Sequence, residues 1–151
     1  GRAVRVHGRA AALLHQIEVE DTAMAMLDFE SGALGTLAVT TAAFPGWPRR
    51  MVVTGTEGTA ILEGDSLVAV ALRSGEDGPA DPAVPTQAAA SALVSDVGPH
   101  RAVFEDFIAA VRQGRPPRCD GREGRKSVAL VLAIYEASRA GAGVSVDHGI
   151  A

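Results

Sequence analysis

Apolar residues alternate with other residues through the first 73 positions, and this period-two pattern is the strongest constraint on the fold. Two apolar stripes of helical period come later, with no strand pattern between them. Strands that precede helices in this way indicate an α+β fold and not a βαβ alternation. The pattern predicts strands at Val4–Leu13, Thr22–Glu30, Leu34–Ala42, Met51–Thr54, Thr59–Glu63 and Val68–Leu72.

Turn and cap signals set the boundaries of these elements. Tight turns at Glu30–Ala33 and Gly55–Gly58 predict two antiparallel hairpins. A first helix is expected from Pro99 to Gly114, and a capping box at Asp120–Glu123 opens a second. We therefore predict an open, largely antiparallel or mixed sheet of about six strands, with the helices packed on one face, and Val144–Asp147 as a possible edge strand.

The face of the sheet away from the helices is unusually low in charge. Met24 and Met26 start this face on one strand, and Thr36 and Ala38 lie on it in the next. A solvated face of an antiparallel sheet normally alternates with clearly polar residues. Two interpretations stay open: another subunit covers the face in a homo-oligomer, or the face is exposed and merely rich in threonine and alanine.

Composition excludes several classes of function. The chain has 151 residues and a net charge of −4, which argues against a nucleic-acid-binding protein. Its longest apolar run, Val128–Tyr135, is too short to span a membrane. The one cysteine, Cys119, forms no internal disulfide, so a reducing, cytoplasmic location is expected. We expect a single domain over residues 1–151, in which residues 74–98 form a long surface loop.

No motif of known catalytic or metal-binding spacing is found. Gly121–Lys126 has neither the spacing nor the preceding strand of a phosphate loop. Asp96 and His100 stand four residues apart, but the intervening Pro99 disfavours the helical geometry that would bring them together. We expect no catalytic residue, no metal site and no cofactor-binding residue in this chain.

The segment Phe44–Arg50 is the most unusual part of the sequence. It contains the only tryptophan, Trp47, between two prolines and next to Arg49. A rigid aromatic ring beside guanidinium donors suits stacking on a sugar ring or holding a polyhydroxylated ligand. Packing of Trp47 over a sheet edge or in a subunit contact is the alternative.

Several segments, in this order, resemble a known family. They are Ile17–Ala23, Leu27–Thr36, Val53–Glu63, Phe104–Pro117 and Ala133–Ser138, closing on Val144–Val146. Together they resemble the C-terminal domain of the Gfo/Idh/MocA oxidoreductases, the relatives of glucose-fructose oxidoreductase and inositol dehydrogenase. The glycine fingerprint, the Glu-Lys-Pro motif and the Asp-x-x-x-His pair of that family are not in this chain, so its dinucleotide-binding domain is expected to be absent here.

The resemblance implies a function for the intact protein. That protein would be an NAD- or NADP-dependent dehydrogenase acting on a sugar, cyclitol or related polyol, and this chain would be its substrate-binding and oligomerisation domain, inactive alone. Trp47 and His100 fall where relatives place substrate-facing tyrosines, and Arg49 is added as a neighbour in the same loop. The alternative is a stand-alone, non-catalytic module for ligand binding or dimerisation.

Overall fold

The computed structural model describes residues 1–76, residue 78 and residues 97–149. These residues form an open α+β fold, which confirms the predicted class. The predicted loop over residues 74–98 lies largely outside the described residues. In the described part the elements are β1 (Ala3–Ala11), β2 (Thr22–Phe29), β3 (Leu34–Thr40), β4 (Arg50–Gly55), β5 (Gly58–Glu63), β6 (Ser66–Leu72), α1 (Gly98–Gln113), α2 (Gly121–Ala140) and β7 (Val144–Ser145).

The strands are distributed over two sheets, each in its own compact unit. Residues 1–42 and 97–149 form the first unit, and residues 43–76 with residue 78 form the second. The first unit holds a four-stranded sheet of order β3-β2-β1-β7, and the second holds a three-stranded sheet of order β4-β5-β6. All pairs of neighbouring strands in both sheets are antiparallel.

Both predicted hairpin turns are present. Gly32 adopts a φ of 83°, and its N–H donates to the carbonyl of Phe29 at 2.9 Å, which closes the β2–β3 turn. In the second unit Gly55 pairs with Gly58 at the β4–β5 turn. A Cβ atom at Gly58 would overlap the carbonyl oxygen of Ala71, so the close approach of β6 requires glycine there.

Small side chains let α2 lie close against the first sheet. Ala137 of α2 and Val6 of β1 are fully buried, and Ala133 and Ala25 are nearly so. These alanines add little side-chain bulk between helix and strand, and Ile134 fills the space that remains. One face of the first sheet is therefore covered by α2.

We expect Val6→Ala to destabilise the protein by about 2 kcal/mol, because it empties part of this core. Val4→Ala is the matched control, since Val4 lies on the same strand and is 38% exposed. It is expected to cost less than about half as much. Urea denaturation of both variants measures the difference, and equal losses would contradict this description of the core.

The ends of both helices follow the sequence signals. The Asp120 side chain accepts hydrogen bonds from the N–H groups of Arg122 and Glu123, and Gly114 and Gly141 end the helices in the left-handed conformation. Of the two helices, α2 is the one that packs on the first sheet. The apolar stripe of α1 stays half exposed at Phe104, Phe107, Ile108 and Val111.

Candidate functional site

The segment between β3 and β4 presents its aromatic side chains to solvent. Trp47 is 67% exposed and Phe44 is 95% exposed, while Gly46 turns the chain between them with a φ of 84°. An indole ring held open in this way offers a flat apolar surface on which the C–H face of a sugar ring can stack. This exposure does not match the alternative in which Trp47 packs over a sheet edge.

The arginines that follow Trp47 are paired with carboxylates of the same unit. Arg49 forms a salt bridge with Asp65, and Arg50 forms one with Glu63 at 3.0 Å. Both pairs are largely exposed, so they contribute little to stability. Because Asp65 offsets its charge, Arg49 is better suited to hydrogen bonding with hydroxyl groups than to holding an anion.

His100 lies elsewhere in the fold. It is exposed in the first turn of α1, in the first unit, whereas Trp47 and Arg49 share one segment of the second unit. Trp47 and Arg49 therefore share one short segment, as the sequence predicts, whereas His100 lies on a different element. Asp96, the other member of the Asp96–His100 pair, falls outside the described residues.

Sequence reasoning missed a buried carboxylate that organises the β1–β2 connection. Asp21 is only 3% exposed. Its oxygens accept hydrogen bonds from the backbone N–H groups of His15 and Leu14 at 2.8 Å, from that of Leu13 at 2.9 Å, and from the Thr22 hydroxyl. The backbone hydrogen bonds from His15, Leu13 and Leu14 hold the pKa of Asp21 far below its ordinary value. The sequence signal for this cluster is the pair Glu20-Asp21 directly before β2.

The neighbouring Glu20 ties the same connection to α2. The Tyr135 hydroxyl donates to the Glu20 carboxylate at 2.5 Å, which lowers the pKa of Glu20 and raises that of Tyr135. At the helix–helix loop, the N–H of Arg118 and the guanidinium of Arg115 lower the pKa of Asp106 in the same manner. These carboxylates are held ionised as hydrogen-bond acceptors, so they are poor proton donors at neutral pH.

The face of the first sheet away from α2 carries a shallow apolar groove of about 460 Å³. Met24 and Met26 of β2 are each 60% exposed there, beside Ala38 of β3, while Ala25 between them is buried towards α2. His7 and Arg9 of β1 lie opposite the two methionines. The strand alternation therefore places two large apolar side chains on a face that α2 does not cover.

The described residues do not fit a dinucleotide. Their strands pair only antiparallel, whereas a dinucleotide fold needs parallel strands with a glycine-rich turn into a helix. At the start of α2 the Asp120 carboxylate already occupies the N–H groups that would face a pyrophosphate. In the described ranges no group of three or more potential metal ligands occurs, and neither helix there is long and apolar enough to cross a membrane.

Comparison with known proteins identifies the class of this fold. Residues 1–61 match the family model described as the GFO/IDH/MocA C-terminal domain. The WlbA dehydrogenase from Bordetella pertussis, solved with NADH and UDP-GlcNAcA, is 27% identical with a TM-score of 0.71, over 96% of this chain and 39% of that chain. These matches confirm the predicted resemblance to the C-terminal domain of the Gfo/Idh/MocA oxidoreductases, which the family model carries over residues 1–61.

Two structures of lower sequence identity share the fold. Levoglucosan dehydrogenase, in complex with NADH and levoglucosan, is 20% identical with a TM-score of 0.78, over 99% of this chain and 46% of that chain. Aldose-aldose oxidoreductase from Caulobacter crescentus, complexed with glycerol, is 22% identical with a TM-score of 0.73, over 95% and 41% of the two chains. This chain thus spans about two fifths of the length of the structures it matches. No curated protein matches it.

Proposed function

We propose that this chain is the substrate-binding and oligomerisation domain of a cytoplasmic NAD- or NADP-dependent oxidoreductase that acts on a sugar, cyclitol or related polyol. The observation that carries the proposal is the exposed Trp47, next to Arg49, in a fold that resembles sugar-linked dehydrogenases. The cofactor is assigned to the intact protein, because the described residues of this chain do not fit it.

In this proposal the side chains bind and orient the substrate. The Trp47 ring stacks on the substrate, while the Arg49 guanidinium donates hydrogen bonds to hydroxyl groups. His100 of α1 is proposed as a further substrate-binding residue on the resemblance alone. Holding the substrate in one orientation lowers the entropy that the reaction must lose, without any bond making by this chain.

The groove at Met24 and Met26 is assigned to a second copy of the chain. Removing an apolar surface from water is favourable, so a partner that covers this groove gains free energy from the contact. In a homo-dimer the same face of both copies would meet, because a two-fold axis pairs each surface patch with itself. The Arg9 and His7 side chains would then lie near the contact.

We expect polyols to change the fluorescence of the chain saturably, because Trp47 is its only tryptophan. Levoglucosan and myo-inositol are the probes, with ethylene glycol as the ligand control. The Trp47→Ala variant has no tryptophan, so its binding is measured by saturation-transfer NMR. We expect it to bind about tenfold more weakly than the unmodified chain, because it lacks the stacking surface.

Two matched variants sharpen this test. Trp47→Phe keeps an aromatic ring and should recover most of the affinity, whereas Phe44→Ala removes the other exposed aromatic of the segment and should leave it nearly unchanged. Equal affinities of Trp47→Ala and the unmodified chain would show that Trp47 does not contact the substrate.

A further inference from the structure

A second groove, of about 620 Å³, lies in the first unit beside the N-terminal end of α2. Its lining brings together cationic side chains from distant parts of the chain: Arg2 before β1, and Arg122, Arg125 and Lys126 in the first turns of α2. The chain as a whole carries a net charge of −4, so this clustering of basic side chains is a local feature. Its volume is in the range of small-ligand sites.

Half of this positive charge is not balanced by carboxylates that line the groove. Lys126 pairs with Glu123 at 2.5 Å, but Arg2, Arg122 and Arg125 form no ion pair with any residue that the structure describes. Only two carboxylates line the groove, those of Asp120 and Glu123, so four cations leave an excess of two positive charges. Three guanidinium groups are therefore available to an anion from solution.

His148 adds an independent observation in the same groove. Its Nε2 atom lies 2.5 Å from the carbonyl oxygen of Ala3, and because that oxygen only accepts, Nε2 carries the proton. The other ring nitrogen, Nδ1, is buried and has no hydrogen-bond partner among the described residues. A buried polar atom without a partner is costly, and a hydroxyl group of a bound ligand would satisfy it.

We infer that this groove binds the phosphate group of a small phosphorylated molecule. Planar guanidinium groups match phosphate oxygens in pairs, which a point charge does not. The guanidinium groups of Arg122 and Arg125 donate to the phosphate oxygens, and the His148 ring lines the same groove. The site is not a phosphate loop, because the Asp120 carboxylate already takes the N–H groups of Arg122 and Glu123.

The test is a titration of the chain with inorganic phosphate at constant ionic strength, followed by two-dimensional NMR. We expect saturable shifts of the amides of residues 122–125 and of the His148 ring, with a dissociation constant in the millimolar range. The double variant Arg122→Gln/Arg125→Gln should weaken binding at least tenfold. The matched control, Arg101→Gln/Arg112→Gln, removes two exposed arginines of α1 and should bind as the unmodified chain does.

Three results would overturn the inference: shifts that grow linearly without saturation, equal shifts with sodium chloride, or equal weakening in the two double variants. Circular dichroism of the variants separates lost binding from lost folding. All four arginines are exposed, so folding should be retained.

Discussion

The double variant Met24→Asp/Met26→Asp is expected to lose self-association, with a dimer dissociation constant raised at least 100-fold. Both side chains are 60% exposed on the sheet face that α2 leaves open, so aspartate there is solvated in the monomer. In a two-fold dimer four carboxylates would be brought into one apolar contact that holds only the two Arg9 guanidinium groups opposite position 24, and burying charges that are not fully paired costs several kcal/mol. Sedimentation equilibrium at tens of micromolar protein measures the change.

The control for this experiment adds the same charge on the helix side of the sheet. Val128 and Leu132 of α2 are each 58% exposed, close to the exposure of the two methionines. Val128→Asp/Leu132→Asp should therefore leave association unchanged. An unmodified chain that is monomeric at these concentrations, or an aspartate variant at Met24 and Met26 that still dimerises, would contradict the proposal for this face.

Local patterns were sufficient to predict most elements of the fold. Strand β2 was predicted at Thr22–Glu30 and is observed at Thr22–Phe29, because alternation and the glycine turn after it depend on neighbouring residues only. The start of α2 is predictable for the same reason, because the Asp120 side chain accepts hydrogen bonds from N–H groups in the first turn of the same helix. Such signals lie within a few positions of the structure that they specify.

The rest depends on contacts between distant residues, which no local pattern reveals. The hydrogen bond from Tyr135 to Glu20 joins residues 115 positions apart. The apolar stripe of α1 predicted burial, yet Phe104 is 67% exposed, because periodicity shows that a face is apolar but not what covers it. For the candidate site, the sequence supplied the exposed Trp47, but a role in substrate binding stays a prediction.

Acid lability is the expected consequence of the Asp21 cluster. In the folded protein three backbone N–H groups hold the pKa of Asp21 far below its ordinary value, which is about 3.9 in the unfolded chain. The unfolded state therefore takes up a proton more readily than the folded state. The stability that Asp21 contributes is fully present above about pH 5 and decreases as the pH falls further.

Asp21→Asn should lower the midpoint of thermal unfolding at pH 7 by about 10 °C. Between pH 5 and pH 2 the midpoint of this variant should decrease less than that of the unmodified chain. The amide offers only one accepting oxygen, so either the bond from Leu13 or those from Leu14 and His15 are lost, and its NH₂ group faces a backbone donor. Asp28→Asn, on the same strand, is the control. Scanning calorimetry across this pH range decides the point: parallel curves for Asp21→Asn and the unmodified chain would mean that the buried carboxylate does not govern acid stability.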